Sequence, residues 1–154
     1  MKSGKLPNKI LSNLLESLKN TDERVIVGPS VGEDASAIDM GDKYILVKTD
    51  PITFTSDNLG WYLVNINSND IFTMGGTPKW LLTTLLFNPE IKKSKIKEIF
   101  EDIKKSCSIM NIALVGGHTE ITPEVNSPTA IGCLIGEVDK NILLRTSGAN
   151  INDD

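Results

Sequence analysis

The chain has 154 residues, 40% hydrophobic and 23% charged, and a formal net charge of −4 from 16 Lys+Arg against 20 Asp+Glu. One domain of this length buries a core without disulfides or metal, and ordinary globular usage excludes disorder, collagen and coiled coil. The acidic balance excludes a nucleic-acid footprint, and apolar runs such as 130–135 fall far short of the roughly 20 residues a membrane span needs.

After Pro7, Ile10, Leu11, Leu14, Leu15 and Leu18 recur at three- and four-residue spacing and predict a short amphipathic helix to about Asn20. Residues 24–27 and 44–49 read as strands, the second entered through a Met40-Gly41-Asp42 turn. A helix is expected from about Asn58 to Met74, carried by Leu59, Tyr62, Leu63, Ile66 and Ile71 and stopped by Gly75-Gly76 and Pro78. Strand 80–87 follows. Its odd and even positions are both largely apolar, which implies cover on both faces, as a barrel-forming dimer gives. Ser94 is the expected N-cap of a third helix with a stripe of Ile96, Ile99, Phe100, Ile103, Cys107 and Met110; its lysines and acids form a solvated outer face. Strands 112–115 and 129–138 complete an α+β order rather than a doubly wound one. The chain closes on a small, polar stretch from Thr146 to Asn150, read either as a solvated terminus or as a cut at a domain boundary.

No phosphate-binding loop, dinucleotide fingerprint or nucleophile elbow is present, and the single histidine, His118, rules out a His-rich metal site within one chain. The chemistry-bearing residues sit instead at four corners. Gly32, Glu33 and Asp34 follow a strand, as an ordinary turn or a ligand loop. Lys48-Thr49-Asp50-Pro51 reads as a strand end. Asn65, Asn69 and Asp70 interrupt an apolar helix, where polar groups need a bond, either to backbone or to a ligand. Gly116-Gly117-His118-Thr119-Glu120 reads as a glycine corner suited to an anion. Mg²⁺ prefers a few carboxylates plus substrate phosphates, so Asp34, Asp50 and Asp70 suit a cation bridging polyphosphate oxygens in phosphoryl transfer. Cys107, on a helix stripe, and Cys133, inside a strand, read as core residues in a reduced, cytoplasmic compartment.

In order and spacing, Gly32-Glu33-Asp34-Ala35, Lys48-Thr49-Asp50-Pro51, Asn69-Asp70-Ile71 with Met74-Gly75-Gly76-Thr77-Pro78, and Gly116-Gly117-His118-Thr119 resemble the amino-terminal domain of the aminoimidazole ribonucleotide synthase superfamily. The run Thr49-Asp50-Pro51-Ile52-Thr53-Phe54 and the Gly117-His118-Thr119-Glu120 segment are most similar to its HypE-like, hydrogenase-maturation branch. The resemblance implies a mixed sheet of four or more strands with helices on one face, ATP and Mg²⁺ as cofactors, and a homodimer whose strands form a β-barrel. It also implies other hydrogenase-maturation proteins as partners. Position by position it implies Asp34, Asp50 and Asp70 as Mg²⁺ ligands, and Gly32, Glu33, Asn69, Gly117, His118 and Thr119 on the nucleotide side.

The domain is expected over 25–147, after a lead-in helix at 1–24 and before a linker at 148–154 to a second domain. The resemblance implies that a full-length protein is an ATP-dependent enzyme dehydrating a carboxy-terminal thiocarboxamide; this domain alone is not expected to complete turnover. A thiamine-monophosphate kinase-like enzyme, from which an acid is expected where His118 stands, another ATP-dependent enzyme of the superfamily, and a non-catalytic dimerisation domain are the alternatives.

Overall fold

A computed structural model describes residues 2–18, 22–146 and 151. Helix α1 (Asn8–Glu16) precedes strands β1 (Val25–Val27), β2 (Ser36–Asp39) and β3 (Lys43–Ile52). Helix α2 (Leu59–Thr73), strand β4 (Thr77–Phe87), helix α3 (Lys93–Met110) and strands β5 (Ala113–Ile121) and β6 (Thr129–Asp139) follow. The strands form one six-stranded sheet in the order β1-β2-β3-β6-β4-β5. Every neighbour is antiparallel except β4 and β5, which run parallel around the α3 crossover. This is the mixed α+β architecture expected from the sequence. Among the described residues no helix is long and apolar enough to cross a membrane.

The core lies between the sheet and the α2–α3 layer. Alternate strand residues Leu46, Ile52, Leu81, Leu85, Phe87, Ala130 and Leu134 are fully buried against Leu63, Ile71, Ile99 and Ile103. Each such Leu, Ile or Phe side chain contributes roughly 1.5–3 kcal/mol by leaving water. The intervening residues Ile45, Val47, Leu82, Ile131, Cys133 and Ile135 are half-buried, and Trp80 is exposed. The opposite sheet face is therefore apolar but uncovered by the described chain. No residue of α1 is buried, and Ile10, Leu14 and Leu18 stay exposed.

Local differences from the sequence expectations have physical causes. Helix α1 ends at Glu16, while Lys19 and Asn20 lie outside the described residues, as do Ser147, Gly148 and Ala149. Strand β2 is an addition to the expected elements; it is the first arm of the hairpin whose turn is Met40-Gly41-Asp42, closed by Met40 N–H donating to the Lys43 carbonyl at 3.0 Å. Lys92, not Ser94, caps α3: it is extended, its carbonyl accepts from the N–H groups of Lys95 and Ile96, and Ser94 is already helical. Ile91 and Ile96 both pack on the core, at the spacing of a hydrophobic staple, and this sets the start of the helix. The stop of α2 is as expected, with Gly75 and Gly76 bonding back to Phe72 and Ile71 at 2.9 and 3.0 Å.

Two supposed corners are strand interiors. Strand β3 continues through Asp50 and Pro51 because β6 pairs with it from Lys43 to Ile52. Gly116 to Glu120 lie inside β5, paired in parallel with residues 82–86 of β4. Gly117 has φ +148°, and a Cβ there would collide with the carbonyl of Thr83, so glycine is what lets β5 lie against β4 at that point.

Candidate functional site

Lys48 and Asp50 share the parity of buried Leu46 and Ile52, so their side chains rise from β3 toward α2. There Asp70 meets them from the last turns of α2. Lys48 Nζ lies 2.6 Å from Asp70 Oδ2 and 3.5 Å from Asp50 Oδ2. Asp34, on the loop before β2, joins from the side, its Oδ2 accepting from Thr73 Oγ1 at 3.2 Å. Asp50 and Asp70 thus share one ammonium, while Asp34 is tied to the same end of α2 through Thr73.

The electrostatics are lopsided. Burial alone would push the Lys48 ammonium down, but the hydrogen bond and charge of Asp70, joined by Asp50, hold it above its ordinary range. Burial pushes the Asp70 carboxyl up; Lys48 pulls against that, and the neighbouring Asp50 and Asp34 charges raise it further. One lysine does not balance the group. Beside it Glu33 has an oxygen, Oε2, that is enclosed and has no hydrogen-bond partner. Ser30, Glu33, Asp34, Ser36, Lys48 and Thr49 line a cleft of about 210 Å³.

This donor set suits Mg²⁺ in one manner only. No three His, Cys, Asp or Glu side chains among the described residues form a ready-made metal cage. Hard carboxylate oxygens on three segments, with an unsatisfied one nearby, fit a cation that takes the rest of its shell from phosphate oxygens and water. Asp34, Asp50 and Asp70 would hold it, and it would neutralise phosphate charge.

A residue absent from the sequence expectations holds Asp50 in place. Asn67 is fully buried, its Oδ1 accepts the Asp50 N–H at 3.0 Å, and its Nδ2 donates to the carbonyls of Leu63 (2.9 Å) and Asp50 (3.5 Å). Strand β2 ends opposite Val47, so Asp50 has no β2 partner, and the Asn67 amide substitutes for one. Gly132 makes room: a Cβ there would sit 2.5 Å from Asn67 Nδ2. The signal is in the spacing, since Asn67 falls four residues from both Leu63 and Ile71 on the core stripe. Asn65 and Asn69 do not form a buried network: Asn69 is exposed, and Asn65 Nδ2 donates to its own helix at the Trp61 carbonyl, 2.8 Å away.

The structure does not bring the remaining expected residues to this cluster. Gly117, His118 and Thr119 lie on β5, three strand spacings from β3, or roughly 14 Å. His118, with Thr49, Thr84, Gly117, Ile131 and Cys133, lines a cleft of about 430 Å³ on the sheet face away from α2. His118 Nε2 is 3.2 Å from Glu120 Oε2, so these two side chains engage each other. Gly32 is exposed in the loop leading to Glu33. Thr49 borders both clefts and joins them.

A mixed sheet covered by helices on one face, with a cleft holding Glu33 and Asp34 beside β2 and β3, defines an α+β domain. Residues 32–138 match the family described as AIR synthase related protein, N-terminal domain, and the chain belongs to that family. A thiamine-monophosphate kinase of Aquifex aeolicus is 22% identical over 148 residues, 91% of this chain and 45% of the kinase. The solved structure of AaThiL complexed with AMPPCP and TMP has a TM-score of 0.72 at 21% identity, over 92% of this chain and 43% of that one. A HypE–HypF complex also gives 0.72, at 17% identity over 92% of this chain and 46% of that one. The chain spans about half the length of the curated relatives it matches. Kinase and hydrogenase-maturation relatives share the fold equally well, so the likeness does not single out the HypE-like branch.

Proposed function

We propose that this chain is a Mg-ATP-binding domain of an ATP-dependent enzyme of the AIR synthase-related type. The observation that carries the reading is the Asp50–Asp70 pair bridged by Lys48, with Asp34 tied to Thr73 on the same helix and an enclosed, unpartnered Glu33 oxygen next in sequence to Asp34. Carboxylates that outnumber their counter-ion favour a divalent cation, and a cation without a full protein cage favours a polyphosphate that completes its shell. Support comes from relatives whose solved complexes contain AMPPCP or ATP. Within this reading residues 25–147 are the binding unit, and Gly32, Glu33 and Asn69 flank the phosphates. His118, on the uncovered face, and its neighbours Gly117 and Thr119 on the same edge strand act at the same nucleotide only if a second subunit or domain brings the two regions together. The uncovered apolar residues of β4 and β6 support such a homodimer.

The finer role we favour is HypE-like: ATP-dependent dehydration of a thiocarboxamide, with hydrogenase-maturation proteins as partners. The likeness to the HypE–HypF complex supports it, and the Aquifex thiamine-monophosphate kinase supports a small-molecule kinase as the second reading. The test of the shared reading is calorimetric titration of Mg-ATP with an EDTA control. Binding is expected in the native chain and is expected to fall at least tenfold in Asp50→Asn and Asp70→Asn. Unchanged binding in folded variants would remove the site assignment.

A further inference from the structure

The cation position between Asp50 and Asp70 already has a claimant. Lys48 Nζ bridges their Oδ2 atoms at 3.5 and 2.6 Å, and the lysine and Asp70 side chains are only 16% and 20% exposed. Two half-enclosed carboxylates without a positive charge between them repel, so the cation-free chain needs this ammonium to hold β3 and α2 together here. A divalent ion bound to the same oxygens cannot share the space with it, because two cations a few ångströms apart repel in turn. Lys48 also lines the cleft with Ser30, Glu33 and Asp34, so a displaced ammonium has somewhere to go: toward an anion in that cleft.

We propose that Lys48 is a resident counter-ion that competes with the divalent cation, closing the Asp50–Asp70 pair in the empty domain and yielding it only when a polyphosphate offers the ammonium a new partner. The proposal rests on the Mg-ATP reading and deepens it. Its consequence is coupling. Free divalent cation binds weakly because it must break an ion pair, whereas cation and nucleotide together bind tightly because the nucleotide pairs with the released lysine.

The probe is Mn²⁺, followed by electron paramagnetic resonance, on the native chain and on Lys48→Met, with and without a non-hydrolysable ATP analogue. The expected result is that Lys48→Met binds free Mn²⁺ roughly tenfold more tightly than the native chain, equivalent to about 1.4 kcal/mol, and gains less from added nucleotide. Equal or weaker binding of free Mn²⁺ by a folded Lys48→Met would overturn the competition while leaving native Mg-nucleotide binding intact. Should the variant not fold, the ¹⁵N signal of Lys48 Nζ in the native chain decides: it is expected to shift on saturation with Mg²⁺ and analogue, and persistence of its Asp70 pairing overturns the proposal. Absence of any cation binding to the native chain, even with nucleotide, overturns both the competition and the reading beneath it.

Discussion

Replacing Asn67 by alanine tests whether a buried amide, rather than the sheet itself, fixes the acidic cluster. The side chain is fully buried and makes three hydrogen bonds, two of them to the backbone of Asp50. Deleting it leaves the Asp50 N–H without this acceptor, a loss of about 1–3 kcal/mol, and removes the bond to the Leu63 carbonyl, worth about 0.5–1.5 kcal/mol. The expected destabilisation is therefore about 2–4 kcal/mol. For a chain of this length that lowers Tm by roughly 5–15 °C. Urea unfolding followed by circular dichroism measures it. Asn65→Ala is the control, since that amide bonds its own helix and should change stability by no more than about 0.5 kcal/mol. A cost below about 1 kcal/mol for Asn67→Ala, or one no larger than the control's, would refute the clamp.

Three other outcomes follow from the same geometry. Gly117→Ala forces a side chain onto Thr83 at a positive φ and should cost about 1–3 kcal/mol, read as a lowered melting temperature with the β4–β5 pairing loosened. Cys133, half-buried on the uncovered sheet face, should react with a thiol reagent in the monomer. Burial shields Cys107 and raises its thiol, so it should react only on unfolding, as peptide mass mapping would show. The Lys140 ammonium, 2.6 Å from Asp39, holds that carboxyl below its ordinary range, with the Gly41 N–H assisting. A depressed carboxyl stabilises the fold above its unfolded pKa and stops doing so as pH falls through the folded one. The stability difference between the native chain and Lys140→Ala should accordingly be present at neutral pH and vanish in strong acid. A difference that persists there would assign it to packing against Tyr44, over whose ring Lys140 Nζ also sits at 5.2 Å.

Legibility in the sequence follows the range of the forces involved. Periodicity locates α2, α3 and the long strands because side-chain direction repeats within each element. It fails where a distant strand decides the outcome. Nothing local distinguishes Gly116-Gly117 as a loop from Gly116-Gly117 as a strand; pairing with Leu82 and Thr83 settles it. The same holds for Asp50 and Pro51, carried in β3 by pairing with Gly132 and Ile131. At the site, the acids are legible as residue types set beside glycine and proline, and the structure links Asp50 and Asp70 through Lys48 and ties Asp34 to Thr73. Lys48 is legible only as half of a charged pair, because its reach to Asp70 crosses from sheet to helix. Asn67 escapes notice although its spacing places it on the core stripe; the neighbouring Asn65 and Asn69 carry the same chemistry at the wrong phase of the helix.

The place of β6 has a consequence for how this chain is made. Among the described residues it is the last strand, yet it lies between β3 and β4, pairing with both along most of its length. Until it emerges from the ribosome, the β1–β2–β3 meander and the β4–α3–β5 unit have no shared edge, and each presents an open row of backbone donors and acceptors. Closure waits for a distant segment to enter a gap between two preformed pieces, which makes folding slow and leaves the nascent chain exposed to wrong pairings. A chain interrupted before Thr129 would therefore lack the joint that makes the two halves one sheet.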